Sequence, residues 1–266
     1  MGMSPRLLRP RATGFSPKSI AGLAGWWDVS SGVTLNGSTI SVIPDRSGNG
    51  RNFTQPAGAT IQPTYVAAGQ NGLATASFDG TRWMSVPSST SAFAFAHQAT
   101  GATIYIVASP ASTTSNAFLI GNNASSPGLH GFNFCTNNSS NARRFQANVT
   151  NGAANVFFGQ FDQTFSALPA WAVVGVVLDP SNATTLSRCL VYRDGTHKTA
   201  TYNGSSAPAV PSSSNAYSNL TLGTMTEGGG FPYQGSVGEI LIYSGIHATS
   251  TRQTIERYLK KKWGTP

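Results

Sequence analysis

Short apolar or alternating runs recur between clusters of turn residues along most of this chain, and that rhythm restricts it to an all-β fold. Segments near 33–35, 38–43, 73–78, 83–86, 102–109, 116–120, 131–136 and 144–149 have strand length and strand composition. Others follow at 155–161, 170–178, 187–193, 198–202, 218–222 and 233–243, with no helical periodicity between them. Strands that succeed one another without helical crossovers pack as antiparallel sheets in a sandwich. Segments 103–108 and 171–178 are almost continuously apolar, which predicts central strands covered on both faces. Asp194-Gly195 and Asn36-Gly37 predict hairpins, because such pairs readily enter the positive-φ conformations of tight turns. With 29 Gly, 15 Pro and only 10% charged residues in 266, the chain suits one large β domain and not long helices.

One helix is signalled near the end, over about 250–263. Ser250 and Gln253 have the spacing of a capping box, and Ile255, Leu259 and Trp263 form one apolar stripe flanked by Tyr258. Gly264 stands where a C-terminal cap is expected. Lys260, Lys261 and Lys262 fall at the negative end of the helix dipole, which with a solvated face accounts for a lysine run without invoking a ligand.

The formal charge of +8 suggests nucleic acid until it is placed along the chain. Arg6, Arg9, Arg11 and Lys18 precede any acid, and Arg252, Arg257 and the three lysines face Glu256 alone at the other end. Between these ends the basic and acidic residues balance, so a phosphate-binding groove is disfavoured. No stretch approaches the roughly 18 apolar residues of a helical membrane span, and the N-terminus lacks the apolar run of a secretory signal, so no membrane partner and a start at Met1 are expected. Residues 1–19, with Pro5, Pro10 and Pro17 among basic side chains, are expected to form an extended arm ahead of a domain at 20–266. Arg6, Arg9, Arg11 and Lys18 would dock it on a partner. Cys135 and Cys189 lack metal-ligand spacing and are expected to be buried thiols, with pairing left open.

Several segments are ordered in a suggestive way: Ile20-Ala-Gly-Leu-Ala-Gly-Trp-Trp-Asp28, Asp45-Arg-Ser-Gly-Asn-Gly-Arg-Asn52, Phe78-Asp-Gly80, Tyr192-Arg-Asp-Gly195, and Gly235-Ser-Val-Gly-Glu-Ile-Leu-Ile-Tyr243 before the terminal helix. Together they resemble the laminin-G-like, concanavalin A-like domains of bacteriophage virion proteins and of secreted carbohydrate-binding modules. The resemblance implies a jelly-roll sandwich of two antiparallel sheets. It also implies a non-enzymatic virion component made in the host cytoplasm: a capsid decoration, head-fibre or tail-associated protein. Its arm would hold major capsid or tail subunits, and it would be a homo-oligomer, with a trimer in keeping with such proteins. The alternative is a lectin-like module for host-surface glycans, with Trp83, Tyr65, Phe231 and Tyr233 as platforms for sugar rings. Trp26, Trp27, Trp171 and Trp263 sit in patterned segments and read as core or helix interface.

Some relatives hold calcium near loops like 45–52, whereas here Asp45, Ser47, Gly48 and Gly50 suit a self-bonded turn, as does Asp79 in Phe-Asp-Gly. Glu239 lies among apolar neighbours and should be buried against a partner such as an arginine or backbone amides. Jelly-roll glycosidases carry two carboxylates at alternate positions of one strand, and this chain has no such pair. His97, His130, His197 and His247 lack evident partners, and no nucleophile elbow, zinc helix or phosphate loop occurs. A non-catalytic protein is expected.

Overall fold

A computed structural model describes residues 14–55, 57–111, 117–123, 129–137, 144–152, 156–161, 171–197, 200–201 and 211–266. Strand β8 (Ala102–Pro110) shows how the sequence becomes layers. Ile104, Ile106 and Ala108 face one apolar cluster, while Tyr105 and Val107 face another. β13 (Ala172–Leu178) and β18 (Gln234–Ser244) divide alike, with Val174, Val176, Ile240 and Ile242 on one side and Val173, Leu241 and Tyr243 on the other. The continuous apolar runs are therefore central strands buried on both faces. The first cluster lies between two sheets. The second lies beneath helix α1 (Thr249–Trp263), which covers it with Ile255, Leu259 and Trp263.

The first sheet runs β2 (Thr34–Asn36), β3 (Thr39–Ile43), β5 (Thr64–Gln70), β6 (Leu73–Asp79), β18, β8, β13, β14 (Cys189–Arg193) and β15 (Thr196–His197). β1 (Leu23–Asp28) takes over from β6 along the second half of β18. The second sheet runs β4 (Phe53–Thr54), β7 (Met84–Val86), β17 (Leu220–Leu222), β9 (Ala117–Gly121), β10 (His130–Asn137), β11 (Arg144–Asn151), β12 (Val156–Phe161) and β16 (Ala200–Thr201). Pairing of β3 with β4 joins the layers, and every strand pair is antiparallel. Where β18 changes neighbours its register shifts between Val237 and Glu239. Gly238 lies at that bulge because a Cβ there would come within 2.7 Å of the Trp263 ring.

The Asp194-Gly195 hairpin forms between β14 and β15 with φ of +51° and +88°, as a type I′ turn requires. Asn36 pairs with Thr39, so the second hairpin turns through Gly37 and Ser38. Gly264 caps α1 in the left-handed conformation, and its N–H bonds to the Lys260 carbonyl. The expected capping box does not form: the N-cap is Ala248, and the Arg252 N–H already bonds to the Ala248 carbonyl, which places Ser250 inside the first turn. β1, β4, β5 and β15 lie outside the expected strand segments. β5 is largely exposed along Val66–Ala68, so its sequence shows little of the alternation that marks a half-buried strand.

Cys135 and Cys189 are buried on strands of different sheets and are not joined by a disulfide. Among the described residues no helix is long and apolar enough to cross a membrane. The arm residues Arg6, Arg9 and Arg11 lie outside the described residues. Lys18 is exposed on a 3-10 turn, Pro17–Ser19, where Ser16 supplies the N-cap and the buried Pro17 accepts a hydrogen bond from the Tyr243 hydroxyl at 3.0 Å.

Candidate functional site

The acidic side chains around α1 are engaged by donors of the protein itself. Glu239 faces α1 from β18 and is fully buried. Its Oε1 accepts from Trp26 Nε1 at 2.8 Å and the Tyr258 hydroxyl at 3.1 Å; its Oε2 accepts from Trp263 Nε1 at 2.8 Å and Lys262 Nζ at 2.7 Å. Asp28, opposite Glu239 on β1, shares Lys262 at 2.6 Å and takes Arg46 at 2.9 Å. Burial comes first among the causes that hold the Tyr258 phenol well above its usual range, followed by the Glu239 charge. The expected partner of Glu239 was an arginine or backbone amides. Its partners are instead a lysine, two indoles and a phenol, which corrects the reading of Lys262 as part of a solvated face. Lys260 is also engaged, donating to the Asp194 carbonyl at 3.2 Å. Arg252 and Glu256 form a second buried pair at 2.8 Å on the helix. These are compensated charges, and both carboxylates of the Asp28–Glu239 pair are buried.

The Asp45 loop likewise satisfies itself. Oδ1 accepts from the amides of Trp26 (3.1 Å) and Ser47 (2.8 Å), and Oδ2 from the Ser47 hydroxyl (2.8 Å) and the Arg51 amide (3.0 Å). Donors converging on the carboxylate suit a turn and leave it no lone pairs directed at a cation, so the residues do not fit calcium. Among the described residues no group of three metal-ligating side chains occurs.

A groove beside predicted residues follows the loop 223–233, between β17 and β18. Gly228, Gly229 and Gly230 all have φ near +100°, a conformation that side chains disfavour. The loop is braced from within. Met225 N–H and the Thr224 hydroxyl both bond to the Gly230 carbonyl, each at 3.1 Å, and Thr226 and Gly229 exchange bonds at 3.1 Å. Against it lies the turn after β6, where Asp79 accepts from the Thr81 amide and hydroxyl and from Arg82 Nε at 2.6 Å. Partial burial pushes the Asp79 carboxyl up, but these hydrogen bonds outweigh it and hold the group at about 2. Arg82 also donates to the Gln62 carbonyl at 2.5 Å. The backbone of Trp83 is fixed on both sides, by its N–H to Ile61 (3.0 Å) and by Gln55 to its carbonyl (3.0 Å). Ile61, Arg82, Trp83, Thr224, Gly230 and Pro232 line a groove of about 390 Å³. It offers an aromatic residue, hydroxyls and backbone polar atoms, and the nearby Asp79 carboxylate is already engaged by Arg82.

Of the four aromatic residues expected to stack on sugars, Trp83 lines this groove and Phe231 stands next to it, 48% exposed, beside the lining residue Pro232. Phe231 rests on Phe118 with ring centroids 5.7 Å apart. Tyr65 is half-buried on β5, packed against the main core. Tyr233 is not available: it is fully buried, 6.0 Å edge-on to Phe78, because it follows the loop into the core where β18 begins. The core assignments hold for Trp26, Trp27 and Trp263, which are buried, and Trp171 stacks on Trp263 at 6.3 Å. Sequence reasoning passed over Tyr217, which lies across the same loop from Trp83 together with Asn219 and Glu227. An aromatic residue isolated in the polar run 212–219, with no apolar neighbour in strand register, was the signal that could have found it.

No protein-family model matches the sequence, and no curated protein does. Solved structures do match. Domain 4 of AbnA, an extracellular GH43 arabinanase from Geobacillus stearothermophilus, solved with arabinotriose, superposes with a TM-score of 0.57 at 15% identity, covering 88% of this chain and 98% of that one. The binding domain of Paraclostridial Mosquitocidal Protein 1 gives 0.57 at 13% identity over 94% of this chain and 56% of that one. Trypanosoma rangeli sialidase, solved with sialic acid, gives 0.52 at 14% identity over 91% of this chain and 33% of that one. The fold is an all-β jelly roll. At such identities the likeness is one of architecture, and the site must be argued from its own residues.

Proposed function

We propose that this chain is a non-catalytic, lectin-like carbohydrate-binding domain whose ligand lies along the loop 223–233. The observation that carries the reading is Trp83, held by backbone hydrogen bonds at the wall of a groove that also carries threonine hydroxyls and backbone polar atoms. Sugar rings stack their C–H faces on such a ring and satisfy their hydroxyls with nearby carbonyls and hydroxyls. The engagement of Asp28, Asp45, Asp79, Glu239 and Glu256 by protein donors supports binding without catalysis. The similarity to domain 4 of the arabinanase, solved with an arabinose oligomer, is in keeping with this reading. A glycan array probed with the full chain should give defined oligosaccharide hits. Trp83→Ala should weaken them at least thirtyfold, about 2 kcal/mol, as for a central hot spot, with Trp83→Phe retaining part of the affinity. Arrays without a hit would overturn the proposal.

A second reading, attachment to a larger assembly such as a virion shell through the segment before Gly14, is favoured by where that segment joins the fold. Phe15 packs on Tyr258 at 5.3 Å, and Gly14 lies beside exposed Arg257 and Lys261 on the face of α1. A leader leaving there would extend the basic face toward an acidic partner. Removing residues 1–13 should abolish incorporation into particles while leaving glycan binding unchanged; undiminished incorporation would refute it.

A further inference from the structure

Beyond the Trp83 groove, on the opposite flank of the loop, Thr90, Tyr217, Ser218, Asn219, Thr226 and Glu227 line a depression of about 470 Å³, a volume ordinary for small-ligand sites. Its floor is held rigidly. Ala216, Tyr217 and Ser218 donate their amides to the carbonyls of Thr90 (2.9 Å), His130 (2.8 Å) and Asn122 (3.1 Å), and Asn219 Oδ1 accepts from the Ser89 amide at 2.7 Å. From this fixed backbone Tyr217 projects 55% exposed, and among the described residues its ring stacks on no other. An aromatic side chain turned to solvent from a fixed backbone gives the protein little packing benefit, while the fixed backbone lowers the ordering cost of a ligand that stacks on it.

The polar groups select the ligand. Asn219 Nδ2 donates to both oxygens of Glu227 at 3.2 Å, which aims the carboxylate across the depression without neutralising it. Among the described residues Glu227 has no ion-pair partner. The Ser218 hydroxyl in the same lining is shielded from solvent and has no hydrogen-bond partner. A carboxylate keeps several lone pairs in reach of two adjacent hydroxyl hydrogens, and it repels another carboxylate. A cation is a poorer fit, since one carboxylate already facing an amide donor supplies too few oxygens.

We propose that the Tyr217–Asn219–Glu227 depression is a second subsite, specific for an uncharged or amino sugar carrying two neighbouring hydroxyls, and that it excludes acidic sugars. The inference rests on the lectin reading and adds a ligand class to it. Its test uses the full chain on arrays of neutral, amino and acidic oligosaccharides, followed by calorimetry with the best neutral ligand. Tyr217→Ala and Glu227→Gln should each weaken the neutral ligand about tenfold or more, and Tyr217→Phe should keep most of the affinity. Glu227→Gln should in addition relax the discrimination against acidic sugars. Wild-type affinity in both Tyr217→Ala and Glu227→Gln, with Trp83→Ala inactive, would overturn this subsite and leave the lectin reading standing. A preference of the unaltered chain for acidic sugars would overturn the ligand class, and absence of any sugar binding would remove both.

Discussion

Beneath α1, Glu239 meets two indoles, a phenol and a lysine, and Asp28 meets a lysine and an arginine. Along the loop 223–233 the pattern reverses: Tyr217 and Phe231 stand roughly half exposed, and among the described residues Glu227 is met only by an amide. Both regions rest on well-fixed backbone, so rigidity does not separate them. What separates them is completion. A charge cluster whose every oxygen is filled by the protein has no capacity left for a ligand, whereas rigid groups left incomplete toward solvent do.

The largest effect should come from breaking the completed side. Glu239→Ala leaves two indole N–H groups and the Tyr258 hydroxyl without their acceptor under the helix and takes from Lys262 one of its two carboxylates, and removing one partner of a buried ion pair costs about 3–5 kcal/mol. Denaturant unfolding should report that loss. A loss under about 1 kcal/mol would mean that the network is no more structural than the loop, and the contrast would fail.

Next in size is a pH effect on the incomplete side. His97 is buried, its carbonyl accepts from the Ser212 amide at 2.9 Å, and its Nε2 faces the Ser214 carbonyl at 3.1 Å. A carbonyl can only accept, so Nε2 carries the proton and Nδ1, which has no partner, is the site that would titrate. Burial, with nearby His130 adding to it, lowers the imidazole to about 4. Because the fold prefers the neutral form, the unfolded chain binds the extra proton first. Stability is whole above about 6.5 and falls as the pH drops toward 4, by up to about 3 kcal/mol. Thermal unfolding between pH 7.5 and 4.5 should show this slope in the wild type and a shallower one in His97→Phe. Equal slopes would show that the segment carrying Tyr217 is not anchored through this ring.

Gly238 tests the helix interface more gently. Adding one methyl at the β18 bulge, 2.7 Å from Trp263, should cost about 1–3 kcal/mol by overpacking, while sugar binding at Trp83 stays as it was. If Gly238→Ala weakens binding in proportion to stability, the two regions are coupled and the comparison needs revision.

How much of this could be read beforehand follows from what each feature depends on. The central strands were legible because burial on both faces writes a continuous apolar run, as in β8 and β13. The Asp194-Gly195 hairpin and the Gly264 cap were legible because one backbone conformation dictates the residue. The Glu239 network was legible only by half: its burial followed from its neighbours, but its partners come from β1 and the last turn of α1, positions that local pattern does not connect. Tyr233 and Phe231 are two residues apart with similar surroundings in sequence, and only the path of the loop sends one into the core and the other outward. Tyr217 was missed because its role depends on three amide bonds to distant carbonyls.

The smallest effects concern where α1 begins. If Ser250 and Gln253 formed the expected box, Ser250→Ala would remove a cap and cost about 1 kcal/mol. In the structure Ala248 is the N-cap and offers no side-chain oxygen to the open amides of the first turn. Ala248→Ser should therefore raise stability by about 0.5–1 kcal/mol, because a hydroxyl there can accept one of those amides. Ser250, two residues too deep to cap, is exposed, and its backbone carbonyl accepts from the Thr254 hydroxyl at 2.8 Å. Ser250→Ala should accordingly stay within about 0.5 kcal/mol of wild type, on the stabilising side through the better helix propensity of alanine. A loss near 1 kcal/mol would place the helix start two residues later, with Ser250 as its cap.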